Sequence, residues 1–310
     1  DAYKAADYFM VTGSVGSLAE MRALMDQGTI KAGLVIPPDY DRQVEQGTAQ
    51  VAFILDGSDP TLASPALSAA QLIGQSFSTG VMVQKIAASG VHLSLEPAVD
   101  VRTTVLYNPD MNSSYFMVPG VIGMILFAIT AILTATSVVR ERERGTIEQL
   151  IITPIRPDEL VVGKITPYVI LSLFDAFEVI AVGHFWFGVP VRGSLLIIAL
   201  ACAIFLFSGL GIGLFASTVA NTQQESMLTV FMTFLPAIFL SGFFFPIQNM
   251  PKFLQYLSLF IPLRYFLNII RSLLIKGVGL LSIQHDLIAL AIFGVVIMTA
   301  AALRFRKRLD

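Results

Sequence analysis

The sequence predicts an α-helical polytopic membrane domain with five spans, a sixth being expected ahead of residue 1, joined to a small α+β domain. Three observations predict it. Hydrophobic residues make up 55% of the 310 and charged residues only 14%, whereas about a quarter of an average soluble domain is charged. Mean hydropathy is +0.73. The apolar residues are also segregated: residues 116–310 alternate long apolar runs with short polar joints, while residues 1–115 have a water-soluble composition. A net charge of −2 offers no basic surface to nucleic acid.

In residues 1–115, the stretches 31–38 and 50–57 are short apolar runs closed by turn residues, and 101–109 alternates; all three predict strands. Residues 17–27 and 65–89 have helical composition. Every cysteine but Cys202 is missing from the chain, so disulfides do not hold this domain, and Cys202 is expected as a packed thiol inside a span. His92, His184 and His285 lack metal-site spacing, and no metal is expected. Asn112-Ser-Ser114 has the form of a glycosylation acceptor, but a turn before the first span is the expectation.

A hydrocarbon core of about 30 Å needs roughly 20 apolar residues. The segments 116–139, 160–187, 195–219, 227–245 and 287–303 meet or approach that length. Arg140, Arg142, Arg144, Arg156 and Lys164 lie between the first two, and Arg304, Arg306, Lys307 and Arg308 follow the last. Four crossings separate these clusters, so they share a side, and basic flanks place it in the cytoplasm. The joint 220–226 then faces the cytoplasm too, with 1–115 outside. An exported domain of that size needs something to start its translocation. Because Asp1-Ala-Tyr-Lys carries no initiating Met and no signal pattern, an N-terminal span is expected before it.

The densest polar stretch is 140–164. Thr146-Ile-Glu-Gln149 ahead of Leu150-Ile151-Ile152 has the form of a capping box, and Pro154 and Pro157 end the helix it would start. A short surface helix near 146–153 with an apolar edge is one reading; a solvated loop that fixes topology is the other. Asp175 and Glu178, three apart, share one face of the second span. A carboxylate at the bilayer centre costs roughly 2.5–3.5 kcal/mol, so the pair reads either as a cation or ion site or as groups held by a neighbouring span or the interface. Gly211-Ile-Gly213-Leu-Phe-Ala216 matches a dinucleotide fingerprint only as a string. Inside an apolar span, Gly209 and Gly213 read as helix-packing positions. No G-x-x-x-x-G-K-[ST] phosphate loop occurs.

The run from Glu141 to Lys164 contains E-x-x-R-G-T-x-E-x-L and then P-x-x-x-x-E-L-x-x-G-K. It resembles the cytoplasmic coupling segment of bacterial type-2 ABC transporter permeases. Ser241-Gly242-Phe243-Phe244-Phe245-Pro246, followed by Met250-Pro251, Pro262, Tyr265 and Arg271, is similar to that family's signature between its last two spans. Ala32-Gly-Leu-Val-Ile-Pro37 and Asp56-Gly57-Ser58 resemble members with a large extracytoplasmic insert between the first two spans.

The resemblance implies a domain division at 1–115 and 116–310 and a permease of the bacterial inner membrane that exports a hydrophobic or amphipathic substrate. Its N-terminal domain would be periplasmic or extracellular and its C-terminus cytoplasmic. Glu141, Arg144, Gly145, Thr146, Ile147, Glu148, Leu150, Ile151 and Pro154 would meet a separate ABC ATPase. Ile147, Leu150 and Ile151 would fill a groove there, and Glu141, Arg144 and Glu148 would pair with charges on its rim. The chain would carry no cofactor of its own, ATP and Mg acting on that partner. A second permease copy or a sister permease, a periplasmic adaptor and membrane lipids are the other implied partners. Gly242, Phe243, Phe244, Phe245, Pro246 and Pro251 would form an exit region, with 247–276 a re-entrant or interfacial segment in which Arg264 and Arg271 need water or headgroups and Phe253, Leu257, Phe260 and Phe266 need burial. Two other classes remain open on residues alone: an ion-coupled secondary transporter using Asp175 and Glu178, and a non-transport receptor or assembly factor using 1–115.

Overall fold

The elements of the N-terminal unit, Asp1–Ser113, run α1 (Leu18–Asp26), β1 (Ala32–Val35), α2 (Tyr40–Gln46), β2 (Ala49–Asp56), α3 (Pro60–Ser89) and β3 (Val99–Leu106). They come from a computed structural model that describes residues 3, 8–46, 48–89, 99–145 and 157–306. β2 is the central strand, antiparallel to β1 and parallel to β3. A parallel neighbour requires a long crossover, and α3 lies in that connection.

Side-chain alternation along β2 splits the core between two faces. Ile54 packs with Met21 and Met25 of α1, whereas Phe53 and Leu55 pack with Ala70 of α3. The Ser17 hydroxyl accepts from the Glu20 amide and the Glu20 carboxylate from the Gly16 amide, which sets the start of α1. At the end of β2, the buried Asp56 carboxylate accepts from the Ser58 amide and hydroxyl at 3.0 and 2.6 Å and pairs with Lys31 at 3.4 Å. Burial first, and then its hydrogen bond to Asp26, raise the Tyr107 pKa above the usual phenol value. Two boundaries differ from expectation. α2 lies where no helix is expected, with Tyr40 and Val44 packed against Ala49, Val51 and Val99. α3 starts at Pro60, where the Asp59 carboxylate accepts from the Thr61 amide and hydroxyl.

Among its described residues, the second unit, Ser114–Asp310, is built from helices and the short joints between them. Its helices are α4 (Ser113–Glu143), α5 (Pro157–Phe185), α6 (Leu195–Val219), α7 (Gln223–Leu240), the short pair α8 (Lys252–Ser258) and α9 (Pro262–Arg271), and α10 (Leu280–Arg306). Among the described residues, α4, α5, α6 and α10 contain stretches long and apolar enough to cross a membrane. α8 and α9, with the π-helical turn Ser272–Lys276 that continues α9, form a pair bent by 83°, the shape of a broken span or a re-entrant loop.

α7 differs from the span expected at 227–245. It has 18 residues, about 27 Å at the usual rise, and its first turn is polar. It stops at Leu240 because Gly242 adopts φ +82°, a left-handed conformation that ends a helix and that glycine tolerates. α10 instead begins at Leu280 rather than 287, which brings His285 and Asp286 inside a helix.

α6 is the centre of this unit. A column of rings crosses it, with Phe234 of α7 stacked on Phe127 of α4 at 5.6 Å, Phe127 beside Phe205 of α6 at 6.3 Å, and Phe205 stacked on Phe266 of α9 at 4.0 Å. Small residues set the helix spacing, since membrane helices gain mainly from close packing. A Cβ on Gly213 would lie 2.5 Å from the Ala131 carbonyl oxygen of α4, and one on Gly209 3.3 Å from Thr130. On the opposite side a Cβ on Gly211 would lie 2.6 Å from Ile297 of α10. The glycines of the Gly211–Ala216 string are therefore packing positions facing two neighbours, and Cys202 is buried beside them in α6.

Candidate functional site

The root of the expected coupling segment is the C-terminal end of α4. Arg140 and Arg142 occupy its last turn, where positive charge complements the carbonyl end of the helix dipole. Gly145 then takes φ +69°, with its amide donating to the Arg142 carbonyl at 3.1 Å. This left-handed residue explains the Arg-Gly-Thr sequence: it stops the long helix and frees the chain to change direction. Glu141 is half-buried, and Arg144 and Gly145 are exposed. Thr146, Ile147, Glu148, Leu150, Ile151 and Pro154, with the capped helix expected near 146–153, lie outside the described residues.

The same end of α4 is held by residues that the sequence analysis does not single out. The Arg140 Nε donates to Gln223 Oε1 at 3.1 Å, and the Gln223 amide donates to Glu143 Oε1 at 3.0 Å. Gln223 Nε2 donates to the other Glu143 oxygen, and the Arg142 guanidinium donates to the Ser217 carbonyl. Gln223 opens α7, where the Thr222 hydroxyl accepts from the Glu225 amide at 3.1 Å and the Glu225 carboxylate from the Asn221 amide at 2.7 Å. A sequence signal existed, because Thr222-Gln-Gln-Glu225 is itself a capping-box pattern.

At the other end of α7 the motif 241–246 leaves the helix and splits its aromatics. Phe243 is buried against α4, so closely that a Cβ on Gly120 would overlap its ring. Phe244 and Phe245 are exposed. Three residues further along α4, a Cβ on Gly123 would lie about 3 Å from each of Leu263, Phe266 and Leu267 of α9. The Arg271 guanidinium lies 3.7 Å from the Phe116 ring centroid and donates to the Gly242 carbonyl at 3.4 Å. Arg271 thus has a ring and a carbonyl of the protein as partners where water or headgroups are expected.

Arg264 likewise donates to the Ser258 hydroxyl and the Gln255 carbonyl. Phe266 is buried as expected, but Phe253 and Phe260 are 70% and 71% exposed and Leu257 is exposed as well. These three side chains therefore do not receive from the protein itself the burial expected of them. Arg192, in the joint between α5 and α6, is a further residue not singled out. Its amide donates to the Leu274 carbonyl and its guanidinium to the Ile275 carbonyl, within the π-helical turn that ends the bent pair.

Asp175 is half-buried and Glu178 exposed on α5. Neither makes a hydrogen bond or ion pair with a described residue. α5 packs on α4 through other groups, Thr130 Oγ1 donating to Ser172 Oγ at 3.0 Å and Tyr168 to Ser137 at 2.6 Å. The structure therefore does not hold the acidic pair against a neighbouring helix.

α4 thus ends in a charged turn at one side and packs on the 241–246 aromatics at the other. A family model described as "ABC-2 family transporter protein" matches residues 1–303. The chain belongs to this ABC-2 family. It is 35% identical over 294 residues to the probable multidrug ABC transporter permease YbhS of Escherichia coli K12, covering 94% of this chain and 76% of that protein. It is 32% identical to the probable multidrug ABC transporter permease YbhR of the same organism, covering 93% and 77%. Similarity extends to the ABC transporter G family member 20 of Dictyostelium discoideum, 26% identical over 64% of this chain and 27% of that protein.

As an ABC-2 protein the chain is a membrane permease subunit of an ABC exporter. Such subunits do not hydrolyse ATP; an ABC ATPase is the partner, and the arrangement is dimeric. The apolar helices agree with a multi-pass inner-membrane protein.

Proposed function

We propose that this permease exports a hydrophobic or amphipathic compound from the cytoplasm or inner leaflet, a reading supported by relatives named as probable multidrug ABC transporter permeases. Closure of two ATPase subunits around bound ATP and Mg moves the coupling segments of two permease chains, copies or sisters, and rigid-body motion of the attached helices alternates access. One observation carries this reading: the root of the segment, Glu141 to Gly145, is the direct end of α4, a helix with Phe127, Ala131 and Ala135 fully buried in the core. A push on the segment is therefore delivered to the packed centre of the unit. Ile147, Leu150 and Ile151 fill the ATPase groove, and Glu141, Arg144 and Glu148 pair with its rim. α7 completes five crossings, with 1–113 on the outer side as a docking platform for an adaptor, and Gly242 to Pro246 with Pro251 at the exit.

The test is copurification of the full-length tagged protein in gentle detergent. An ATPase subunit at matched stoichiometry is expected, and Glu148→Arg should reduce its recovery and the coupled ATPase rate by about tenfold while insertion is unchanged. Normal recovery and export by that variant would move the contact elsewhere.

A second reading concerns cargo charge. Glu178 sits exposed on α5 among the exposed Phe174 and Phe177, and a carboxylate in an apolar setting favours a cationic partner. With Asp175→Asn and Glu178→Gln together, ethidium efflux should fall while efflux of a neutral dye persists. Equal efflux of both dyes leaves the pair with no part in selecting cargo.

A further inference from the structure

We propose that Gln223 is a positioning residue that ties the root of the coupling segment to α7, so that α4 and α7 move as one lever from the ATPase contact to the exit motif. This deepens the export mechanism proposed above and rests on it. The observation is the density of bonding at one residue. Gln223 uses its backbone amide, side-chain oxygen and side-chain nitrogen on the last turn of α4, at Glu143, Arg140 and Glu143 respectively. Both partners, Glu143 and Arg140, are charged, and charge-assisted bonds are the stronger kind. The two acceptor bonds at Glu143 are also bidentate, which fixes orientation as well as distance.

The tie is the lowest of several contacts along the same two helices. Val230 of α7 is buried with Ala131 and Ala135 of α4. Phe234 stacks on Phe127 one layer up, and Phe243, just beyond α7, presses on Gly120. α4 and α7 are thus joined at their cytoplasmic ends, in the middle and at their outer ends. The apolar contacts resist separation but lie far from the point where force enters. At residues 140–143, immediately before the coupling segment, Gln223 is the α7 residue that meets α4 by hydrogen bonds. Without it, the last turn of α4 can yield locally while α7 stays in place. Thr222 and Glu225 hold the Gln223 backbone in register by capping α7, so the amide of Gln223 points at Glu143 before any side chain is placed.

The experiment uses the purified complex of the full chain with its ATPase and does not depend on knowing the cargo. Asn249, exposed just past the exit motif, is replaced (Asn249→Cys), and labelling by a bulky polar maleimide is timed with and without Mg-ATP and vanadate. The native Cys202 is buried in α6 and stays silent. Nucleotide trapping is expected to change the labelling rate by about fivefold, the low end of measured coupling between distant sites. Gln223→Ala, Glu143→Ala and the double substitution should each reduce that change to the same residual level, while the ATPase still copurifies and hydrolyses ATP. Gln223→Lys, whose ammonium can pair with Glu143, should restore most of it, which a merely structural role would not predict. A nucleotide response retained in Gln223→Ala overturns the tie and leaves the export mechanism standing, as does a double substitution whose loss is the product of the two singles. Absence of any ATPase from the unaltered preparation overturns the export mechanism itself, and the tie falls with it.

Discussion

The two ends of α4 are held by opposite kinds of chemistry. Toward the N-terminal end Gly120 and Gly123 receive Phe243, Leu263, Phe266 and Leu267, a steric fit in which few atoms can shift without losing contact. At the C-terminal end the contacts are polar and exposed, through Arg140, Glu143 and Gln223. Water can replace hydrogen bonds of that kind at little cost, but it cannot replace a ring seated on a glycine. The N-terminal end is therefore built to keep its geometry, while the C-terminal end can exchange its partners, a contrast that the proposed push on the coupling segment would use.

The largest expected effect breaks the N-terminal end. Phe243→Ala removes a ring that is 4% exposed and should destabilise the permease by about 3 kcal/mol, read as a lower thermal midpoint by fluorescence size-exclusion in detergent. An unchanged midpoint would mean that Phe243 is not seated on Gly120. A smaller loss, about 2 kcal/mol, is expected for Gly120→Ala, because its Cβ overlaps the same ring. Combined with Phe243→Ala, that substitution should cost nothing more, since the clash then has no partner. The smallest effect on stability is expected at the C-terminal end, where Gln223→Ala should leave the midpoint unmoved. A midpoint loss as large as that of Phe243→Ala would erase the contrast between the two ends.

Much of this architecture could be read from residues alone. Runs of apolar residues long enough to span placed α4, α5 and α6 close to their observed limits, because an unbroken helix is what satisfies backbone groups away from water. Gly209 and Gly213 were legible as packing positions, since few roles other than close approach suit glycine in a helix. The ends of α7 and α10 were not. A hydropathy run cannot tell an apolar residue inside a helix from one just beyond it, so the signature aromatics at 243–245 were counted into α7 and the polar start of α10 was left out. Arg192 was unreadable for another reason: its carbonyl acceptors in the turn Ser272–Lys276 exist only because the backbone there departs from α-helical bonding.

What the sequence determined by itself is the membrane class, the approximate spans, the charge asymmetry across them and the two motif regions. Each depends on composition along the chain, and length and charge are one-dimensional quantities. Tertiary structure decided which side of each helix is inside. In a soluble helix the polar face marks the outside, but lipid is as apolar as the core, and no such mark exists. Only packing could reveal that Gly213 faces α4 while Gly211 faces α10, that Phe243 is buried and Phe244 is exposed, and that Gln223, one of two adjacent glutamines, meets Glu143.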